Sequence, residues 1–113
     1  CLLNIICHCQ PVVCGGDDEW DQEREQWHSG ANTFAFAPGK IITYARNVHT
    51  LDQLSKNDFE IVKASDFIAG SGDDVVFADG KPCAIAVDGS ELPRGGGGAR
   101  CMTMPLSRGA VEW

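Results

Sequence analysis

Basic residues are scarce in this chain. Nine Lys and Arg stand against sixteen Asp and Glu among 113 residues, which gives a formal net charge of −7 at pH 7. Such a charge argues against nucleic acid or an anionic membrane surface as a partner, and it mildly favours a cationic ligand.

Long apolar runs are also lacking. No stretch approaches the roughly 18 apolar residues of a membrane span, and the opening "CLLNIIC" has neither the basic region nor the A-x-A cleavage pattern of a signal peptide. We therefore expect a cytoplasmic protein. Because the chain starts at Cys1, within an apolar helical pattern, we also expect it to be a segment of a longer protein.

Cysteine, by contrast, is plentiful, and four of the six cysteines fall within the first fourteen residues. A secreted disulfide framework usually spreads its cysteines along the chain, so this clustering favours reduced thiols packed as small hydrophobes. Cys7, His8, Cys9 and Cys14 could together suggest zinc. The C-x-C spacing is not the usual knuckle, however, and no second ligand pair follows, so buried thiols are favoured over a metal site.

The first half of the chain predicts a helix, a strand, a second helix and a hairpin. Leu2 to Ile6 are typical of a helix end, and "PVVC" predicts a short buried strand. The acidic start of "DDEWDQEREQW" suits a helix N-terminus. "NTFAFAPGKIITYAR" then predicts two strands around a Pro38-Gly39 turn.

The second half continues as helix, strand, excursion and strand. "TLDQ" resembles a capping box in which Thr50 begins a short helix with Leu51 and Leu54 inward. "FEIVKA" and "CAIAV" predict strands, and the Gly, Asp and Pro spacing of "IAGSGDDVVFADGKP" predicts an exposed excursion between them. At 43% hydrophobic, the 113 residues form one unit of the α/β class.

Four consecutive glycines, Gly95 to Gly98, lie just before Cys101. A phosphate loop is excluded because the required Lys and hydroxyl do not follow, and a dinucleotide fingerprint needs a helix where "CMTMP" is strand-like. A plain surface loop is the simplest interpretation. Glycine, however, costs conformational entropy and removes every Cβ, so the run favours a loop whose backbone another molecule can touch.

A last strand is predicted at "CMTMPL". Alternation would place Met102, Met104 and Leu106 on the core face, and Cys101 and Thr103 on the other. Cys101 is therefore the candidate nucleophile, beside a bare backbone.

Two arginines flank the predicted nucleophile. Nearby cations lower a thiol pKa, but alternation would aim Arg100 away from the sulfur and leave it a supporting role. Arg94, at the loop mouth, is the better candidate for binding an anionic group of a substrate.

The segment "GSELPRGGGGARCMTMPLSR" resembles the C-terminal signature of arginine deiminases, in which a Gly-rich loop leads to the catalytic cysteine. "EREQWHSGANTFAFAPGKIITYARNVHT" and "LLNIICHCQPVV" are also similar to family stretches, so the resemblance covers nearly all of residues 1–113. It would make the chain a single α/β fragment from the C-terminal part of a catalytic domain. Residues 66–88 look like a surface insertion relative to shorter members.

The resemblance implies a fold and a reaction. The fold is a five-bladed α/β propeller, the pentein fold, in which this chain would be the last ββαβ module and part of the one before. The reaction is hydrolysis of free L-arginine to citrulline and ammonia through a covalent cysteine intermediate, with no metal or organic cofactor.

Site residues follow from the same resemblance. Cys101 takes the place of the nucleophile, and Gly95 matches a loop glycine that contacts the substrate through its backbone. Some members have an arginine where this chain has Gly96, so Arg94 or arginines elsewhere would bind the substrate carboxylate.

The family's H-x-D histidine and guanidinium-binding aspartates have no match at His8, His28 or His49. We therefore expect the 113 residues alone to be inactive and to need the remaining modules of the parent protein as partners. The apolar "CLLNIIC" face also predicts self-association as a homo-oligomer.

Two other functions remain open at this point. One is a sibling enzyme acting on peptidyl-arginine or another guanidino compound. The other is a small cysteine-rich binding module without enzymatic activity, which would show few free thiols where the enzyme would show six.

Overall fold

A mixed sheet organises the part of the chain that the structure, a computed structural model, describes: residues 10–107 and Gly109. Within that part the helices and strands, in chain order, are α1 (Glu19–Trp27), β1 (Phe34–Ala37), β2 (Lys40–Tyr44), α2 (Val48–Lys56), β3 (Glu60–Lys63), α3 (Ala64–Ile68), α4 (Asp73–Val76) and β4 (Cys83–Val87). Two 3₁₀ turns follow, at Leu92–Gly95 and Arg100–Met102. The α/β class predicted from the sequence is confirmed.

The strand order is β1-β2-β4-β3. The predicted hairpin is confirmed, because β1 and β2 pair antiparallel across the Pro38-Gly39 turn. Strands β2 and β3 both pair parallel with β4, so Ile85 has Ile42 on one side and Val62 on the other. Parallel strands are usually covered on both faces of the sheet and are therefore apolar. The core of the described part accordingly centres on Val62, Val76, Cys83 and Ile85.

Helix α1 forms where the acidic segment predicts it. The Asp18 side chain caps it by accepting hydrogen bonds from the amides of Trp20 at 2.9 Å and Asp21 at 3.2 Å. The helix ends in a turn that contains Ser29 and Gly30. Its buried residue is Glu25, which faces helix α2.

The predicted capping role of Thr50 is wrong. Helix α2 begins two residues earlier, at Val48, with Asn47 in the cap position. The Glu25 carboxylate accepts hydrogen bonds from the amides of His49 and Thr50, and so replaces a local cap with a long-range one. Leu54 is buried as predicted, and Leu51 is half-buried.

The predicted buried strand at "PVVC" is also wrong. Residues 11–13 have no regular secondary structure, and Val13 is exposed. Pro11 has no amide hydrogen to give to a ladder, and among the described residues no strand pairs with this segment. The predicted helix at the start of the chain, and Cys1, Cys7, His8 and Cys9, lie outside the described residues.

The third correction concerns "CMTMPL", which is not a strand. The amides of Cys101, Met102 and Thr103 donate to carbonyls three residues back, which makes a tight local turn rather than a ladder. Residues 103–107 have no regular secondary structure. Side chains predicted to face the core are exposed instead, at 58% for Met102, 78% for Met104 and 89% for Leu106.

The excursion between β3 and β4 is exposed only in part, because Val76 is in the core. The buried Lys40 ammonium donates to the carbonyls of Val75 at 3.2 Å, Ala78 at 2.9 Å and Lys81 at 2.6 Å, which fastens the excursion to β2. An insertion at residues 66–88 stays a prediction, but Cys83–Val87 within that range lies at the centre of the sheet rather than on the surface.

None of the helices in the described part combines the length and the apolar character that would let it span a membrane.

Candidate functional site

Cys101 lies on the exposed 3₁₀ turn Arg100–Met102, which follows the glycine run. Its amide donates to the Gly98 carbonyl at 3.1 Å, so the turn closes back on the loop. The next residue, Met102, contacts the sheet, because the Tyr44 hydroxyl in β2 donates a hydrogen bond to its sulfur at 3.9 Å. The sulfur of Cys101 is therefore presented on a local turn that β2 helps to fix.

Asn32 is the side chain that contacts the Cys101 sulfur. Its amide nitrogen Nδ2 lies 3.0 Å from Sγ and donates to it across 69 residues of sequence. Asn32 follows the turn that ends α1, where its own amide donates to the Ser29 carbonyl at 3.0 Å. Sequence reasoning missed this residue, and the only signal available was its place in the "NTFA" segment of the resemblance.

Three of the four glycines have a structural reason to be glycine; Gly96 is one of them, because its φ of +78° is one that glycine favours. Gly97 has φ of +97°, which favours glycine, and a Cβ there would lie 3.2 Å from the Cβ of Cys101. A Cβ on Gly98 would lie 2.5 Å from the Cβ of Asn32 and 2.6 Å from its carbonyl oxygen. Glycine therefore lets the loop lie directly against Asn32 and Cys101. Around Gly95 and Gly96, in contrast, a Cβ would meet open space.

The pKa values of two cysteines move in opposite directions. A backbone hydrogen bond from Gly98 lowers the pKa of the Cys101 thiol, and the Asn32 side-chain amide lowers it further. Desolvation opposes these two effects, and the Arg100 charge lowers the pKa by the smallest amount. Burial raises the pKa of Cys83, although the nearby Lys40 charge opposes the change. Of these two thiols, Cys101 is therefore the one that ionises at the lower pH.

The predicted substrate residues Arg94 and Gly95 lie on the 3₁₀ turn Leu92–Gly95. Arg94 is exposed and forms an ion pair with Glu91 at 3.0 Å. Such a surface pair is weak, so the guanidinium can exchange Glu91 for another anion. Among the described residues, the side chain that donates a hydrogen bond to the Cys101 sulfur is Asn32 and not Arg94.

Arg100 lies between two open depressions. One, of about 690 Å³, separates β1 from the segment after Cys101 and is lined by Phe34, Phe36, Arg100, Thr103, Met104 and Pro105 among others. The other, of about 580 Å³, is lined by Gln26, Ser29, Ala31, Asn32, Thr33 and Arg100. The second depression is polar and borders the same Asn32 that contacts the thiol.

Cys7, His8 and Cys9 of the zinc alternative lie outside the described residues; among the described residues, no group of three or more His, Cys, Asp or Glu side chains could hold an ion. Cys14, Cys83 and Cys101 are free thiols.

Fold and site together define an α/β segment that presents an exposed cysteine, with a lowered thiol pKa, on a turn that follows a glycine loop. The family model described as arginine deiminase matches residues 7–108. The chain therefore belongs to the arginine deiminase family, and the resemblance seen in the sequence is confirmed.

Three relatives show the extent of the similarity. The arginine deiminase of Listeria innocua serovar 6a is 41% identical over 101 residues, which cover 89% of this chain and 19% of the relative. That of Mycoplasma capricolum subsp. capricolum is 39% identical over 99 residues, covering 88% and 19%. That of Clostridium perfringens strain SM101 is 37% identical over 97 residues, covering 86% and 18%. The chain thus spans about a fifth of the length of the curated relatives it matches. No solved structure matches it significantly.

Proposed function

We propose that this chain is the nucleophile-bearing segment of an enzyme that hydrolyses L-arginine to citrulline and ammonia, and that Cys101 is the nucleophile. The observation that carries the proposal is the contact of an exposed sulfur with the Asn32 amide at 3.0 Å, beside the glycine loop. Membership of the arginine deiminase family and the names of the relatives support the substrate.

The proposed reaction has two steps, formation of a covalent intermediate and its hydrolysis. The Cys101 thiolate attacks the guanidinium carbon of arginine, one nitrogen takes up a proton, and ammonia leaves with the C–N bond pair. Water then adds to the carbon of the resulting amidino-thioether. The C–S bond breaks, the thiolate is restored, and citrulline carries the water oxygen.

The substrate's own charge favours this scheme without help from a metal or an organic cofactor. A guanidinium cation next to the sulfur stabilises the thiolate by Coulomb attraction. Gly95, around which a Cβ would meet open space, presents its backbone to the substrate, and Arg94 exchanges Glu91 for the substrate carboxylate.

The remaining groups come from other modules of the parent protein. In this proposal the chain is the last ββαβ module of a five-bladed α/β propeller and part of the preceding module. The proton-transferring histidine and the guanidinium-binding aspartates lie in the other modules. The 113 residues alone then lack the proton-transferring histidine and the aspartates that hold the guanidinium, and we expect no citrulline from them.

Replacement of single cysteines in the complete protein tests the role of Cys101. Cys101→Ser should lower citrulline formation at least about a thousandfold, as expected when a nucleophile is removed. Cys14→Ser is the matched control, because Cys14 is a free cysteine in the turn before α1, and it should retain most activity. Activity of Cys101→Ser within tenfold of wild type would refute the proposal. Comparison of free arginine with an arginine-containing peptide separates the deiminase from the sibling enzyme.

A further inference from the structure

Asn32 holds the Cys101 sulfur with one end of its side chain only. Nδ2 donates to Sγ at 3.0 Å, whereas Oδ1 is buried and has no hydrogen-bond partner among the described residues. A buried carboxamide oxygen without a donor costs free energy. The amide is therefore oriented with its donor end on the sulfur and its acceptor end unpaired among the described residues.

The direction of the hydrogen bond decides which form of sulfur it favours. An N–H donor stabilises a thiolate more than a neutral thiol, because the charged sulfur is the stronger acceptor. With the amide turned over, Oδ1 would face Sγ and could pair only with a protonated thiol. The observed arrangement therefore favours ionised sulfur.

A neutral donor also suits the proposed substrate. A lysine or arginine held against the sulfur would stabilise the thiolate but repel an incoming guanidinium. The Asn32 amide and the Gly98 backbone supply donors that carry no net charge, and the Arg100 charge has a smaller effect on the thiol.

The contact between Asn32 and the loop is fixed by sterics. Because a Cβ on Gly98 would lie 2.5 Å from the Cβ of Asn32, only glycine lets the loop approach this closely. On the other side, the backbone amide of Asn32 donates a hydrogen bond to the Ser29 carbonyl at 3.0 Å. The side chain is thus set between the end of α1 and the glycine loop, and its direction is defined.

We propose that Asn32 is a positioning residue for the nucleophile: its amide keeps the Cys101 sulfur ionised and fixes the direction from which the sulfur attacks. This inference rests on the proposed function for the attack on arginine. Its effect on the ionisation of the thiol can be measured without any arginine chemistry.

The test uses the complete protein and site-resolved alkylation. Iodoacetamide reacts with the thiolate, so the pH dependence of Cys101 labelling, assigned by peptide mass, reports ionisation. Asn32→Asp keeps the shape but sets a carboxylate against the sulfur. It should lower the labelling rate at pH 7 by about tenfold or more and displace the profile to higher pH. Asn32→Ala should give a smaller loss in the same direction.

Asn57→Asp is the matched control, because it makes the same charge change at a residue whose hydrogen bonds involve Gln10 and Gln53. Its labelling profile should stay within twofold of wild type. Steady-state kinetics add a second measurement: the Asn32 variants should lower kcat while the KM for arginine stays within about threefold, since the amide touches the sulfur rather than the substrate.

The possible outcomes separate the two proposals. If folded Asn32→Asp and Asn32→Ala keep the wild-type labelling profile, the role of Asn32 is overturned even when Cys101→Ser is inactive. If the profile shifts but Cys101→Ser stays active, the effect of Asn32 on ionisation stands and the proposed function falls. Should Asn32→Asp fail to fold by circular dichroism, Asn32→Ala decides, because it keeps the Cβ against which Gly98 packs.

Discussion

Glu25 caps a helix to which it does not belong. Its Oε2 accepts the Thr50 hydroxyl at 2.6 Å and the Thr50 amide at 2.8 Å, and its Oε1 accepts the His49 amide at 2.9 Å. A carboxylate at this position accepts hydrogen bonds from otherwise unpaired amides, and its negative charge interacts favourably with the positive N-terminal end of the α2 dipole. The same Thr50 hydroxyl accepts a hydrogen bond from the Gly15 amide at 2.9 Å. The Thr50 side chain, on α2, therefore contacts both α1 and the turn before it.

Removal of this carboxylate should destabilise the domain. Glu25→Ala leaves two helix amides and a hydroxyl without their acceptor inside the protein, and should lower the free energy of unfolding by about 3 kcal/mol or more. Urea denaturation of the complete protein, monitored by a probe in this domain, measures the change. Glu23→Ala, at an exposed position of the same helix, should cost less than about 0.5 kcal/mol. Equal effects of the two changes would contradict the capping role.

A methyl group at Gly98 should disturb catalysis. The added Cβ cannot lie 2.5 Å from the Cβ of Asn32, so the loop must move and carry Cys101 with it. A displacement on the order of 1 Å can lower kcat about a hundredfold, which citrulline assays of Gly98→Ala would measure. Gly109→Ala adds the same methyl where no atom of the described residues lies within 4 Å, and it should leave kcat within about twofold. Wild-type kcat in Gly98→Ala would show that the close approach is unnecessary.

The thiols of Cys101 and Cys83 should differ in their pH response. The hydrogen bonds from Gly98 and Asn32 lower the pKa of Cys101, so its thiolate persists as the pH falls below the range of an ordinary thiol. Burial raises the pKa of Cys83, so that thiol stays protonated to a higher pH. At pH 7, iodoacetamide should label Cys101 at least about tenfold faster than Cys83, and the ratio should shrink at alkaline pH, where both thiols ionise. Equal labelling rates of both residues in the folded protein would contradict the predicted difference between the two thiol pKa values.

Elements with local signals were predictable from the sequence. The alternation on either side of Pro38-Gly39 specified the β1–β2 hairpin, and the acidic start at Asp18 specified α1. The segment "CAIAV" was identified as a strand, because a short apolar run between turn residues is typical of one that is buried on both faces. Its central place in the sheet follows from pairing and not from composition.

Long-range contacts account for the errors. The sequence around Thr50 matches a capping box, but Glu25, 25 residues away, supplies the cap, and no local pattern reveals that contact. The Met-Thr-Met alternation after Cys101 resembles a strand, yet the backbone forms a 3₁₀ turn and leaves those side chains exposed. Asn32 escaped detection for the same reason: its importance comes from a sulfur 69 residues away.

The position of β4 has a consequence for the order in which the chain can fold. Strands β2 and β3 each pair with β4 rather than with one another. The hairpin and helix α2 can form early from neighbouring residues, but the parallel half of the sheet has no template until residues 83–87 have left the ribosome. Cys101 follows that strand in the sequence, so its sulfur is synthesised only after every strand of the described sheet.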